Sequence, residues 1–201
     1  MGSGMGKGRL EAFSDGVIAI LITIMVLELK VPHGGSWSAL QPLVPVLLSY
    51  TLSFVYLGIY WNNHHHLLHA TSRVSAGILW ANLHLLFWLS LVPFTTAWMG
   101  ENHFESLPVA VYGFTLLMAS FAYFVLQLQI IATQGDDSVL RGAVGGWKEN
   151  LSLSLNLVAL PIAFYAKWLA LAMYVVVAII WLVPDPRIER ALAKRHAAGH
   201  A

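Results

Sequence analysis

Six long apolar stretches alternate with short polar connectors along this chain, and that alternation predicts an all-α integral membrane protein. A membrane-crossing helix needs roughly 20 predominantly apolar residues. The pattern places spans at 9–29, 43–63, 74–98, 108–131, 151–166 and 168–183. The fifth is short and holds Pro161, which withholds a backbone donor and predicts a kink, or an end to the first half of that helix. Only residues 165–167 separate it from the sixth, so the two form a tight hairpin or, alternatively, one long broken helix. A leader or cloning scar occupies 1–8, the six-span unit 9–183, and a basic, alanine-rich tail 184–201. The stretch 135–150, with Asp136, Asp137 and Arg141, reads as a polar connector.

Composition sharpens this picture. Hydrophobic residues make up 58% of the 201 positions and charged residues only 10%, against about 25% charged in an ordinary globular domain. So much apolar surface requires a lipid bilayer as partner. A net charge of +1 gives nucleic-acid binding nothing to build on, and the absence of cysteine removes disulfides and thiolate chemistry. Lys and Arg stay on the cytoplasmic side during insertion. With both termini cytoplasmic, the inner set is Lys7, Arg9, Arg73, Arg141, Lys148, Arg187, Arg190, Lys194 and Arg195, and only Lys30 and Lys167 fall outside. Trp37, Trp98 and Trp168 stand at span edges, where an aromatic belt belongs.

The first span carries the most chemistry. Ionisable and polar side chains inside a bilayer are costly unless partnered, so they call for a functional reading. On a helix of about 100° per residue, Phe13, Gly16, Ile24, Leu27 and Val31 fall within roughly 40° of Ile20 and form one stripe. Thr23 lies about 60° to one side of it, and Asp15 points about 140° away. Asp15 and Ser14 are therefore expected to meet polar groups of neighbouring helices, with Arg9, Trp61, Asn63 and His64 the nearest by depth; a helix N-terminal cap is the other ordinary role for that Asp. Taken alone, the stripe of Ile20, Ile24 and Leu27 is what any packed helix buries. Repeated around a symmetry axis, the same residues would make a hydrophobic constriction that gates by excluding water, with Thr23 supplying oxygens near the axis.

Arg9-x-x-x-Phe13-Ser14-Asp15-Gly16-Val17, continuing through Ala19-Ile20 and Thr23 to Leu27-Glu28-Leu29-Lys30-Val31-Pro32, resembles the signature of the lysosomal potassium channel family, transmembrane protein 175, in its prokaryotic form. Tyr60-Trp61-Asn62-Asn63-His64-His65 resembles that family's aromatic-histidine motif. The pair covers about a quarter of the chain; the remaining spans agree in number and length. The resemblance implies a potassium-selective cation channel whose first helices line the pore and which needs no cofactor or bound metal beyond the permeant potassium ion. Animal members carry two six-span repeats and assemble as dimers, so a one-repeat chain is expected to form a homotetramer in a prokaryotic plasma membrane. Position by position, Ile20, Ile24 and Leu27 correspond to the constriction and Thr23 to the selectivity layer. Arg9, Ser14 and Asp15, with Trp61, Asn63 and His64, correspond to a supporting polar network. The run His64-His65-His66 with His69 exceeds what the motif needs. There is no Thr-Val-Gly-Tyr-Gly loop for a carbonyl filter and no span with the repeated arginines of a voltage sensor.

Two other classes compete. His65 and His69 at i, i+4, with His84 in the third span, would suit an intramembrane metal or haem protein, but no carboxylate lies beside them and the His-Glu-x-x-His pattern is missing. A secondary transporter would show paired broken helices; Pro161 interrupts the fifth span, and no matching Pro or Gly interruption is read in the first half. The chain is not read as an enzyme.

Overall fold

In the computed structural model, which describes residues 6–135 and 146–183, seven α-helices follow one another and no strand occurs among the described residues. They are α1 (Lys7–Ile24), α2 (Val44–His69), α3 (Ala76–Ser90), α4 (Val92–Glu101), α5 (Ser106–Gln134), α6 (Trp147–Tyr165) and α7 (Lys167–Leu182). Helices stand at each of the six places the hydropathy pattern marks. Four runs are long and apolar enough to cross a membrane: Lys7–Glu28, Trp37–His69, Ala76–Glu101 and Ser106–Gln134. The apolar α7 is shorter, at 16 residues. The tail 184–201, the first five residues of the leader and most of the 135–150 connector lie outside the described residues.

Three local features depart from the hydropathy reading. α1 begins at Lys7, inside the expected leader, and the Lys7 ammonium donates to the His69 carbonyl at 2.8 Å, tying the ends of α1 and α2 together. The third span is two helices, α3 and α4, which part at Leu91. Pro93 explains the break: it has no N–H for the Leu89 carbonyl, and it sits in the first turn of α4, where that N–H is not needed. The first half of the chain therefore does contain a proline interruption, contrary to the sequence reading. Conversely, α6 runs through Pro161 without ending. Ala159 and Ala163, both fully buried beside it, hold the helix in contact with its neighbours.

Core packing divides into two clusters. Leu10, Ile18 and Leu21 of α1, with Met25 just past its end, join Leu57 and Leu67 of α2, Leu85 of α3 and Leu126 of α5. On the other side, Met99, Tyr112, Leu116, Ala159, Ala163, Ala170 and Tyr174 join α4 to α7. Tyr174 is fully buried and seated on Gly113, where a Cβ would meet its hydroxyl and ring. Its backbone carbonyl accepts from the Tyr56 hydroxyl at 2.6 Å, and a chain of hydroxyls runs Thr96 to Ser53 to Tyr112. Small residues and interhelical hydroxyl bonds are the usual means of joining helices in lipid, where burial of apolar area supplies little drive.

One end of the bundle is a charged corner. The turn between α4 and α5 places His103 and Phe104 at φ 50° and 57°, in the left-handed region that non-glycine residues visit at a cost of about 1 kcal/mol or more each. Phe104 is buried and packs on Trp168 at 5.6 Å. Glu101 and Glu105 flank this turn and pair with Lys30 at 2.9 Å and Lys167 at 3.1 Å. These are the two lysines that the charge count places on the opposite side from the rest.

Candidate functional site

The buried side of α1 is Leu10, Ser14, Ile18 and Leu21, spaced at helical intervals against α2 and α3 and continued by Met25 in the turn that follows. Its other side is left uncovered: Phe13 is 50% exposed, Ile20 61%, Ile24 45% and Leu27 76%, and Gly16, Ala19 and Thr23 lie exposed among them. The expected stripe is thus on the surface of the single chain and not in its core. Thr23 donates its hydroxyl hydrogen back into the helix, with the Ala19 carbonyl at 2.9 Å and the Ile20 carbonyl at 3.1 Å as acceptors. That leaves the oxygen lone pairs as the outward-facing part of the group.

The helix tightens after Ile24 into a 3₁₀ turn over Met25–Glu28. Leu27 follows Ile24 by three residues, and at about 120° per residue the two eclipse, so Leu27 stands over Ile24 more squarely than an unbroken α-helix would place it. Val31, which helical periodicity assigns to the same stripe, lies beyond the end of this turn, where the backbone has become extended at Leu29. Its place on the stripe rested on a helix that has already stopped.

Beneath the stripe, three helices are joined by a polar chain whose direction can be worked out atom by atom. Ser14 Oγ donates to the Leu10 carbonyl at 2.9 Å, so it must accept from Asn82 Nδ2, also at 2.9 Å. The Asn82 oxygen then faces His64 Nε2 at 2.6 Å, and that nitrogen carries the ring proton. His64 Nδ1, the remaining acceptor, is buried without a partner. Asp15, half-buried, accepts from the Trp61 indole N–H at 3.0 Å in a separate link between α1 and α2.

The structure therefore brings Ser14 and His64 together through Asn82, and Asp15 to Trp61. Asn63 is not part of either link: its side-chain amide donates to the Ile59 carbonyl at 2.8 Å within α2, and its backbone carbonyl accepts from the Tyr123 hydroxyl at 3.3 Å. Arg9 is exposed at the start of α1 and forms none of the described hydrogen bonds or ion pairs of this network. Asn82 was missed because it lies in no motif. The available signal was that a lone Asn inside an apolar span needs a partner.

The histidines outside this network are distributed differently from a ligand set. His65 and His69 stack at 5.9 Å on the exposed side of α2, with Trp61 stacked on His65 at 6.3 Å. His84 Nε2 accepts from the Trp88 indole at 2.9 Å, which occupies the lone pair a metal would use. No grouping of three or more metal-ligating side chains occurs among the described residues.

Comparison with known proteins supplies the context for this geometry. A family model described as "Endosomal/lysosomal potassium channel TMEM175" matches residues 9–93, the segment holding nearly all of α1, the whole of α2 and α3 and the start of α4. A protein of Chryseobacterium sp. (strain P1-3) named as a potassium channel is 53% identical over 189 residues, covering 94% of this chain and 98% of that one. A Streptomyces collinus protein with the same description is 33% identical, covering 84% and 90%. The crystal structure of a lysosomal potassium-selective channel TMEM175 homolog from Chamaesiphon minutus aligns with a TM-score of 0.76 at 30% identity, over 88% of this chain and 96% of that one. With both signature stretches of α1 and α2 inside the matched segment, and a relative more than half identical along nearly the whole of both chains, this protein belongs to the TMEM175 family.

Proposed function

We infer that this chain is a potassium-selective cation channel that works as a homotetramer, with α1 of each copy lining a central path. The observation that carries the reading is the uncovered face of α1, which combines large aliphatics with the Thr23 hydroxyl and small residues. Four copies of that face around one axis would stack rings of Ile20, Ile24 and Leu27. Such rings throttle conduction by expelling water. Between them the Thr23 hydroxyls, with their protons already given to backbone carbonyls, would offer oxygen to an ion that has lost part of its hydration shell. Ser14, Asn82 and His64, with the Asp15–Trp61 link, hold α1 at a fixed rotation against α2 and α3. Arg9, exposed at the inner mouth of this arrangement, would add positive charge there. The relatives named as potassium channels support the same ion.

In this reading both termini face the cytoplasm of a prokaryotic cell, and the ion-paired corner at Lys30, Glu101, Glu105 and Lys167 faces outward. Purified protein in liposomes under potassium and sodium gradients tests it. Thr23→Val, which keeps the shape and removes the oxygen, is expected to lower the preference for potassium over sodium, and Thr23→Ser to retain it. Unchanged selectivity in Thr23→Val would show that another helix lines the path.

A further inference from the structure

Near mid-span, α3 and α5 share an aromatic patch that holds no residue of α1. The His84 ring stands edge to face on Trp88 and on Phe121, each at 6.5 Å, and Trp88 meets Phe87 at 5.3 Å and Phe114 at 5.8 Å. Phe87, Phe114 and Phe121 are each about half exposed, and Trp80, one turn before His84 on the same side of α3, is more exposed still. His84 lies eight residues beyond Ala76, about 12 Å along the helix, and Phe121 is midway along α5. The patch therefore sits well inside a hydrocarbon core about 30 Å thick.

The hydrogen-bonding chemistry of the patch has one sign. His84 Nε2 accepts from the Trp88 indole at 2.9 Å, so the ring is neutral and its proton is on Nδ1. That Nδ1–H has no described acceptor and, unlike Nδ1 of His64, it is not enclosed by the protein. The largely exposed Trp80 side chain carries a second donor, and no side chain of the patch retains a free acceptor. An unmet N–H in hydrocarbon costs free energy, and alkyl tails cannot meet it. Phospholipid ester and headgroup oxygens lie in the polar layers outside the core. A cation or an amine would bring donors to donors, and an alcohol would bring a proton with no acceptor to take it.

We propose that this patch binds a neutral lipophile whose flat ring bears ketone oxygens, the chemistry of a membrane quinone. One ketone accepts from His84 Nδ1–H, and the ring packs offset or edge-on against Phe87 and Phe121, the arrangements aromatic surfaces favour. The oxidised form is held as a ligand, and no electron is transferred. The site needs only the membrane placement of α3 and α5, and does not rest on α1 lining a pore.

The test is binding of tritiated decylubiquinone to the full-length protein in phosphatidylcholine nanodiscs, with empty nanodiscs subtracting partition into lipid, a readout independent of conduction. Saturable binding is expected. His84→Phe, which keeps a ring and removes the donor, should weaken it about tenfold, the worth of one hydrogen bond. Phe87→Ala should weaken it through the lost ring face, and Thr23→Val should bind as the unaltered chain does. Hexamethylbenzene, which has the flat ring without ketones, should fail to compete, and decylubiquinol should compete only weakly. Because the chain has no cysteine of its own, Phe87→Cys reports on a second copy: quantitative disulfide cross-linking would show that another subunit covers the patch. That result, the absence of saturable binding, or binding indifferent to both His84→Phe and Phe87→Ala, would overturn the proposal.

Discussion

α1 and α7 are both apolar helices with one covered and one uncovered side, yet their uncovered sides differ in kind. Apart from Ala172, the residues that α7 leaves exposed are large: Trp168, Leu169, Val175, Val176, Ile179 and Leu182. α1 exposes Ala12, Gly16, Ala19 and Thr23 between Phe13, Ile20 and Ile24, with Leu27 exposed in the turn that follows. Bulky aliphatics and a border tryptophan suit contact with lipid tails. Small residues and a hydroxyl suit close approach of another helix, or of an ion. The lesson is that exposure alone does not distinguish a lipid face from a functional one in a membrane protein; residue size and the presence of an oxygen do.

The largest effect expected from this contrast is on ion flux. Ile20→Ser should raise potassium leak in liposomes several-fold, whereas Ile179→Ser on α7 should leave flux near that of the unaltered chain. Equal effects from the two would erase the distinction between the faces. Next come the seats on which the two helices rest. Gly113→Ala should destabilise by about 3 kcal/mol, since the new Cβ meets the buried Tyr174 ring of α7 and such overpacking costs that much; the unfolding midpoint of the detergent-solubilised protein measures it.

On the α1 side, Asn82→Leu should cost about 2 kcal/mol in the same assay. Two bonds at the membrane-protein average of roughly 0.6 kcal/mol each are lost together, and the rest is the cost of leaving the buried His64 Nε2–H without an acceptor. A shift in rotation of α1 should accompany it, read as altered potassium-over-sodium preference, which Gly113→Ala should leave alone. The smallest effect lies at the charged corner. The hydrogen bond with Glu101, and then the charge of that carboxylate, raise the pKa of the exposed Lys30 above its ordinary value. A raised folded-state pKa means the contribution is fully present below the unfolded-state pKa and disappears as pH rises through the folded one. The difference in melting midpoint between the unaltered chain and Lys30→Met should hold steady through neutral pH and vanish only as pH rises past the ordinary lysine value of about 10.4.

The existence and places of the helices were legible because lipid demands long apolar runs whatever the packing. Breaks were not: hydropathy is blind to the missing donor of Pro93, and it does not distinguish a proline that ends a helix from one, like Pro161, that lies inside α6. Ser14, Asp15, Trp61 and His64 could be picked out as polar groups at similar depth, and they do meet in two linked pairs. Asn82, the residue that completes one of them, is invisible to periodicity, since its partners are 18 and 68 positions away. Arg9 and Asn63 share that depth but not those bonds, because depth along a helix axis says nothing about which way a side chain points.

The overwound turn at 25–28 has a mechanical corollary. It works as a short screw thread: slackening it from about 120° to about 100° per residue would swing Leu27 sideways by roughly 60° and draw it about 1.5 Å along the axis. In the proposed channel, Leu27 would thus leave its place over Ile24 by the rewinding of three peptide units, while the body of the helix and its fastenings to the rest of the subunit stay where they are.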